Sequence, residues 1–101
     1  MTETYQHYRE KYGIGVHQVN TYDNIEVVTN YVKFWSNGKR HRLDGPAMIW
    51  SDELPIWYIN DTCVDIIIKV WANDNNIDLD NLSEDDKILI KLVWSDYNCM
   101  N

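Results

Sequence analysis

The sequence predicts a single α+β domain, in which an antiparallel β-meander precedes two amphipathic C-terminal helices. Three observations support this fold class. Residues 25–36 are rich in β-branched and aromatic side chains, the composition of strands. Asn37-Gly38 follows at once, and both residues of this dipeptide tolerate the positive φ of a hairpin turn. Residues 62–97 then place apolar side chains at helical spacing. A chain of 101 residues is long enough for one such domain with a modest core.

The meander is predicted over residues 25–61. Its first part is one bent strand or two strands broken near Asn30. Residues 40–43 are expected to pair back after Asn37-Gly38. Asp44-Gly45-Pro46 is expected to turn the chain again, because Gly supplies unusual backbone angles and Pro fixes its own φ. Two more strands are predicted, over residues 47–50 and 56–59.

The helical half is predicted over residues 62–97. Thr62 is the expected N-cap of the first helix, with Asp65 in a near capping box. Ser83 is the expected N-cap of the second helix, which is predicted to fray after Tyr97. Both stripes are expected to pack on the aromatic face of the sheet, since that is the only large apolar partner available. The stripe residues are Cys63, Ile66, Ile67, Val70 and Trp71 in the first helix, and Ile88, Leu89, Leu92 and Val93 in the second.

Residues 1–24 form an N-terminal segment with a possible short helix. Thr2 or Thr4 can cap a helix that runs to Lys11 and ends at Gly13. Three tyrosines, Tyr5, Tyr8 and Tyr12, would then share one face. The segment has no apolar signal sequence, and no run in the chain approaches the ~20 apolar residues of a membrane span. We therefore expect a cytoplasmic protein with reduced thiols at Cys63 and Cys99.

The charge is unevenly distributed along the chain. Residues 1–32 carry a net charge of −2, residues 33–50 carry +3, and residues 51–101 carry −8, which together give the −7 of the whole chain. An acidic half of this kind repels nucleic acid and favours a partner with a basic surface. The same acids are also explained as a solvated surface without a partner.

A short internal repeat leads to a family resemblance. Trp35-Ser-Asn37-Gly38 recurs as Trp57-Tyr-Ile-Asn60-Asp61. The first copy continues into His41-Arg42-Leu43-Asp44-Gly45-Pro46-Ala47. This segment resembles the His-Arg-x-Asp-Gly-Pro-Ala repeat of proteins from large phages and giant viruses, which is itself similar to the MORN repeat of β-hairpins. The resemblance covers about residues 31–97. The second copy departs from it, because Asp61 replaces Gly and no heptapeptide follows. The resemblance implies a viral origin and MORN-like hairpins, and it implies no activity.

The leading functional hypothesis is a small acidic viral protein in the host cytoplasm that binds a host protein. It would inhibit or redirect that protein, for example a component of a defence system or of transcription. The contact surface would be the acidic face of the helical half. The residues expected to form it are Asp74, Asp78, Asp80, Glu84 and Asp85.

Two alternatives remain open. The chain could sequester a small nucleotide signal, since guanidinium groups suit phosphate and aromatic rings stack on bases. That site would consist of Arg40, His41, Arg42, Trp50 and Trp57. A structural explanation of the same motif is that Arg42 pairs with Asp44 and that His41 fixes the hairpin through backbone hydrogen bonds. The other alternative is a virion or assembly component.

Enzyme chemistry is not expected. The sequence contains no phosphate-binding glycine loop and no hydrolase or metalloprotease motif. Residues 74–85 resemble the start of a calcium loop, but Leu79 stands where such a loop requires Gly. We therefore expect no metal, no cofactor and no direct binding of nucleic acid. A homo-oligomer is possible, because the edge of a hairpin can pair with another strand.

Overall fold

A computed structural model of the protein describes residues 4–95 and has the predicted α+β fold. Thr2, the predicted fraying after Tyr97 and Cys99 lie outside this range. One helix precedes the strands and two follow them. In chain order the elements are α1 (Tyr5–Tyr12), β1 (Gly15–Gln18), β2 (Asp23–Val27), β3 (Tyr31–Ser36), β4 (Lys39–Arg40), β5 (Met48–Trp50), β6 (Tyr58–Ile59), β7 (Thr62–Cys63), α2 (Asp65–Asp74) and α3 (Glu84–Trp94).

The N-terminal helix forms as the sequence predicts. The Thr4 side chain accepts a hydrogen bond from the His7 N–H, and the helix ends at Gly13, whose φ of 78° suits glycine. Tyr5 and Tyr8 are buried on the face toward the sheet. The Tyr5 hydroxyl donates to the Val28 carbonyl at 2.7 Å, which ties the helix to the β2–β3 turn. The helix therefore covers one face of the main sheet.

The main sheet is antiparallel, and its strands follow the order β1-β2-β3-β4, with β5 also paired to β3. The break near Asn30 separates β2 from β3, as one of the two predicted arrangements has it. Strand β1 was not predicted, because residues 15–18 show little strand composition. Since β2 occupies one edge of β3, both β4 and β5 lie on the other edge.

Residues 41–47 leave this shared edge of β3 and return to it as a closed loop. The His41 N–H donates to the Phe34 carbonyl at 3.0 Å, and the Phe34 N–H donates to the Ala47 carbonyl at 2.8 Å. One residue of β3 therefore holds both ends of the loop. The predicted return strand over residues 40–43 is shorter than expected, because the chain leaves the ladder after His41. Asp44-Gly45-Pro46 lies within this loop and does not join two neighbouring strands.

The two Asn-containing turns of the sequence repeat have matching backbone conformations. The φ angles are 53° at Asn37 and 77° at Gly38, and they are 49° at Asn60 and 69° at Asp61. Positive φ at both central positions is the geometry of the hairpin turns that fit the twist of paired strands. The second turn joins β6 to β7 in a separate two-stranded sheet.

The buried side chains form two clusters, and this corrects the predicted packing of the C-terminal helices. The first cluster lies between α1 and the main sheet. The second cluster contains Trp57 and Ile59 of the small hairpin with Ile68 of α2 and Ile90 of α3. The prediction that α2 and α3 pack on the face of the main sheet is wrong. The β6–β7 hairpin supplies the apolar partner for these helices, whereas Tyr5 and Tyr8 already cover the sheet.

The start of α2 also differs from the prediction. Thr62 and Cys63 belong to β7, and the helix begins at Asp65 with Val64 at the N-cap position and no side-chain cap. The Asp65 carboxylate accepts a hydrogen bond from the backbone N–H of Trp57 instead. Hairpin pairing continues to Cys63, so the helix begins two residues later than predicted.

Candidate functional site

Helix α2 turns most of its predicted apolar stripe toward solvent, and Trp71 is the exception, since it packs against the second cluster. Its buried residues are Ile68 and Ala72, which lie on the opposite side of the helix. Ile66 is 78% exposed, and Ile67 and Val70 are also exposed. The expectation that these three residues face the core is therefore wrong. Helical periodicity identifies the stripe, but it does not say whether the stripe faces the protein or a partner.

Helix α3 shows the same reversal. Ser83 caps it through a full capping box with Asp86, as expected from the acidic first turn. Ile90 and Trp94 are its buried residues. The predicted stripe, Ile88, Leu89, Leu92 and Val93, is exposed, and Leu92 reaches 74% exposure. We call these four residues, together with Ile66, Ile67 and Val70 of α2, the apolar helix faces.

Large side chains on the inner side explain this orientation. Trp71 of α2 meets Trp94 of α3 edge to face, with 5.9 Å between ring centroids. Lys91 is exposed, and its Nζ lies 3.8 Å from an Asp44 carboxylate oxygen on the loop that follows β4. Together with the fully buried Ile68 and Ile90, the two tryptophans set which side of each helix faces the protein. The apolar helix faces are left on the other side.

The five predicted acidic residues lie together along one part of the helical half. Asp74 is at the end of α2, Asp78 and Asp80 are in the connection, and Glu84 and Asp85 are in the first turn of α3. All five are exposed. Carboxylates at the start of a helix are stabilised by the helix dipole. These residues place negative charge beside the apolar helix faces.

The heptapeptide motif has a structural role through Arg42. Its side chain is only 9% exposed, and its Nε donates to the Asp44 carboxylate at 2.9 Å. One terminal nitrogen donates to the Pro46 carbonyl at 3.2 Å, and the guanidinium lies 4.1 Å from the centroid of the Phe34 ring. Burial by itself would raise the pKa of Asp44, but the charge and hydrogen bond of Arg42 hold it below its usual value. The structural explanation of the motif is confirmed for the Arg42–Asp44 pair.

His41 joins the two hairpins. Its Nδ1 accepts a hydrogen bond from the backbone N–H of Asn60 at 3.0 Å, which places the ring proton on Nε2 when the ring is neutral. Burial lowers the pKa of His41, and the negative charge of Asp23 partly opposes that effect. The predicted role of His41 in fixing the hairpin through the backbone is thus confirmed.

The residues proposed for a nucleotide site do not come together. Arg40 binds Asp61 at 2.7 Å and stacks over Tyr58. Trp57 is only 4% exposed within the second cluster, so its ring has no face for a base. His41 and Arg42 line a groove of about 410 Å³ beside α1, whereas Trp50 lines a different groove of about 500 Å³.

Within residues 4–95, no helix is both long and apolar enough to cross a membrane. No group of three or more His, Cys, Asp or Glu side chains there is arranged to hold a metal ion.

Comparisons with protein-family models, with curated proteins and with solved structures gave no match to this chain.

Proposed function

We propose that this chain is a small acidic viral protein that binds a host protein and inhibits or redirects it, and that it acts as a binding protein and not as an enzyme. The observation that carries the proposal is the outward orientation of the apolar helix faces. An amphipathic helix normally gains its stability by burying the apolar face. Here both C-terminal helices leave that face in solvent.

The exposed area is large enough for a specific contact. The seven residues of the apolar helix faces expose on the order of 700 Å², close to the ~800 Å² that each partner contributes to an interface of standard size. About 300 Å² of this area lies on α2 and about 400 Å² on α3, and exposed apolar patches of this size on monomeric proteins are often functional.

Charge selects the class of partner. Residues 51–101 contain eleven acidic and three basic residues. A second copy of this surface would bring the same charges against them, and like charges in contact cost several kcal/mol. A partner with an apolar centre and a basic rim fits better, and Asp74, Asp78, Asp80, Glu84 and Asp85 would face that rim. The viral origin and the cytoplasmic host partner rest on the resemblance of residues 31–97 to the phage and giant-virus repeat.

The test compares two leucines with similar exposure. Leu92 is on the apolar face of α3, whereas Leu54 is 80% exposed in the loop between β5 and β6. The wild type, Leu92→Ser and Leu54→Ser are used as baits in a host lysate. We expect a stoichiometric partner with the wild type and with Leu54→Ser, and at least a tenfold weaker complex with Leu92→Ser, because a buried leucine contributes about 1.5–3 kcal/mol.

Charge reversal supplies the second arm. Replacing Asp78, Asp80, Glu84 and Asp85 by lysine should slow association and reduce its dependence on salt. Equal recovery with Leu92→Ser and Leu54→Ser would contradict the use of the apolar helix faces. The absence of any stoichiometric partner, or a complex indifferent to charge reversal, would contradict the proposed function.

A further inference from the structure

Strand β1 leaves one edge of the main sheet open. Its residues pair with β2 alone among the strands of residues 4–95. The Val19 N–H donates to the Asp23 carbonyl at 2.9 Å, so the Val19 N–H points toward β2, and the Val28 N–H donates to the Tyr31 carbonyl on the other side of β2. Hydrogen bonding alternates along an antiparallel pair. The N–H and C=O groups of Val16 and Gln18 therefore point away from β2, toward the open edge.

The surroundings of this edge are apolar. Val16 lies on the strand, Ile14 precedes it, and Val19 and Tyr22 follow it, and all four side chains are more than half exposed. The edge is short, but it carries no lysine, no proline and no inward-pointing charge, which are residues that often block pairing. Unpaired backbone groups and exposed apolar side chains therefore occur at one place.

The charge distribution indicates which partner can pair with the open edge of β1. Residues 12–22 contain no Asp, Glu, Lys or Arg, although the chain as a whole has a net charge of −7. Two copies can approach along this segment without placing like charges in contact. An antiparallel pair of identical strands is also self-complementary about a two-fold axis. A second copy therefore fits this edge, whereas it does not fit the acidic helical half.

We propose that two copies of the chain associate through antiparallel pairing of β1, with the two-fold axis beside His17. Val16 of one copy then pairs with Gln18 of the other, and their outward backbone groups form four hydrogen bonds. The four apolar residues expose on the order of 450 Å² per copy, so the interface is at the small end of specific contacts, below ~1,200 Å² in total. We expect a dissociation constant in the micromolar range.

Sedimentation velocity tests the proposal. The concentration series runs from about 5 to about 200 μM, because a small interface is expected to dissociate in this range. The wild type should approach twice its monomer mass of 12.0 kDa. Gln18→Pro removes an N–H donor that points to the open edge, so the hydrogen bonds between β1 and β2 are kept. Proline is tolerated at such positions of an edge strand. This variant should stay folded by circular dichroism and weaken association at least tenfold.

Two substitutions of Val16 form a matched pair. Val16→Lys places a charge on the edge and should weaken association, whereas Val16→Thr keeps the β-branched shape and should leave the dimer intact. If Gln18→Pro disrupts folding, this pair still decides the question. A wild type that stays monomeric at the highest concentration would overturn the proposal. A dimer that persists in folded Val16→Lys would also overturn it. So would a dimer that is abolished by Leu92→Ser but is unaffected by Val16→Lys. None of these outcomes depends on finding the host partner.

Discussion

Gly45→Ala is expected to destabilise the fold through Arg42. A Cβ at this position would lie 2.5 Å from Arg42 Cζ and 2.7 Å from Nη1. The guanidinium cannot move toward Phe34, because it already lies 4.1 Å from that ring centroid. It would have to leave its site and lose the hydrogen bond to Asp44, the hydrogen bond to Pro46 and the ring contact. Both hydrogen bonds are donated by the charged guanidinium, and a bond of this kind contributes about 1.5–3 kcal/mol, so we expect a loss of about 3 kcal/mol or more.

A double-mutant cycle in urea measures whether Arg42 is the cause. In an Arg42→Ala background the clash is absent, so Gly45→Ala should be neutral or should stabilise by about 0.4–1 kcal/mol through the entropy of the unfolded chain. The coupling free energy between the two positions should then be about 2 kcal/mol or more. The urea midpoint should move without a change in m. Equal costs of Gly45→Ala in both backgrounds would refute this reasoning.

Three further predictions concern single contacts. Because the pKa of His41 is lower in the folded protein than its unfolded value of about 6.5, its contribution to the unfolding free energy is complete above about pH 6.5 and is lost as pH falls through the lowered pKa. His41→Asn keeps a hydrogen-bond acceptor for Asn60 but cannot titrate. Unfolding curves at several pH values should therefore show a smaller loss of stability at low pH than the wild type, and an unchanged pH profile would contradict this role of His41. Leu92→Ser should change stability by less than about 0.5 kcal/mol, whereas Ile90→Ser, at a fully buried position, should cost more than about 2 kcal/mol; similar thermal shifts would count against the assigned faces. Gly38→Ala meets no atom within 4 Å but must adopt a φ of 77°, so denaturation should show a purely conformational cost of about 1–2 kcal/mol, and a neutral result would argue against the turn.

Local sequence signals predicted the turns and caps well. Asn37-Gly38, Thr4 and Ser83 act where the sequence places them, because each depends on a backbone conformation that only a few residue types support. Thr62 shows the limit of such signals. It has the chemistry of an N-cap, but pairing with Ile59 in the second hairpin holds it in β7. A long-range contact decided between two locally acceptable states.

Hydrophobic periodicity alone could not predict which face of each helix turns toward the protein. A stripe such as Ile88, Leu89 and Leu92 predicts that a helix has an apolar face, and the core is the usual place for it. Which face turns inward depends here on Trp94 packing against Trp71 and on the burial of Ile68 and Ile90 in the second cluster. These contacts join parts of the chain that are far apart in sequence. The same limit applies to β1, whose few residues become a strand only because β2 lies beside them.

The ion pairs of the meander explain why the basic segment, residues 33–50, is a poor site for an anion. Three of its four cations already have a carboxylate within 4 Å. These pairs are Lys33–Glu26 at 3.7 Å, Arg40–Asp61 at 2.7 Å and Arg42–Asp44 at 2.9 Å. The first pair joins β3 to β2 and the second joins β4 to the second hairpin turn, whereas the third lies within the loop of residues 41–47. The acidic half has too few cations for similar neutralisation, because residues 51–101 contain only three. Negative charge therefore remains at the surface beside the apolar helix faces, and for this reason we propose the helices, and not the motif, as the surface for a partner.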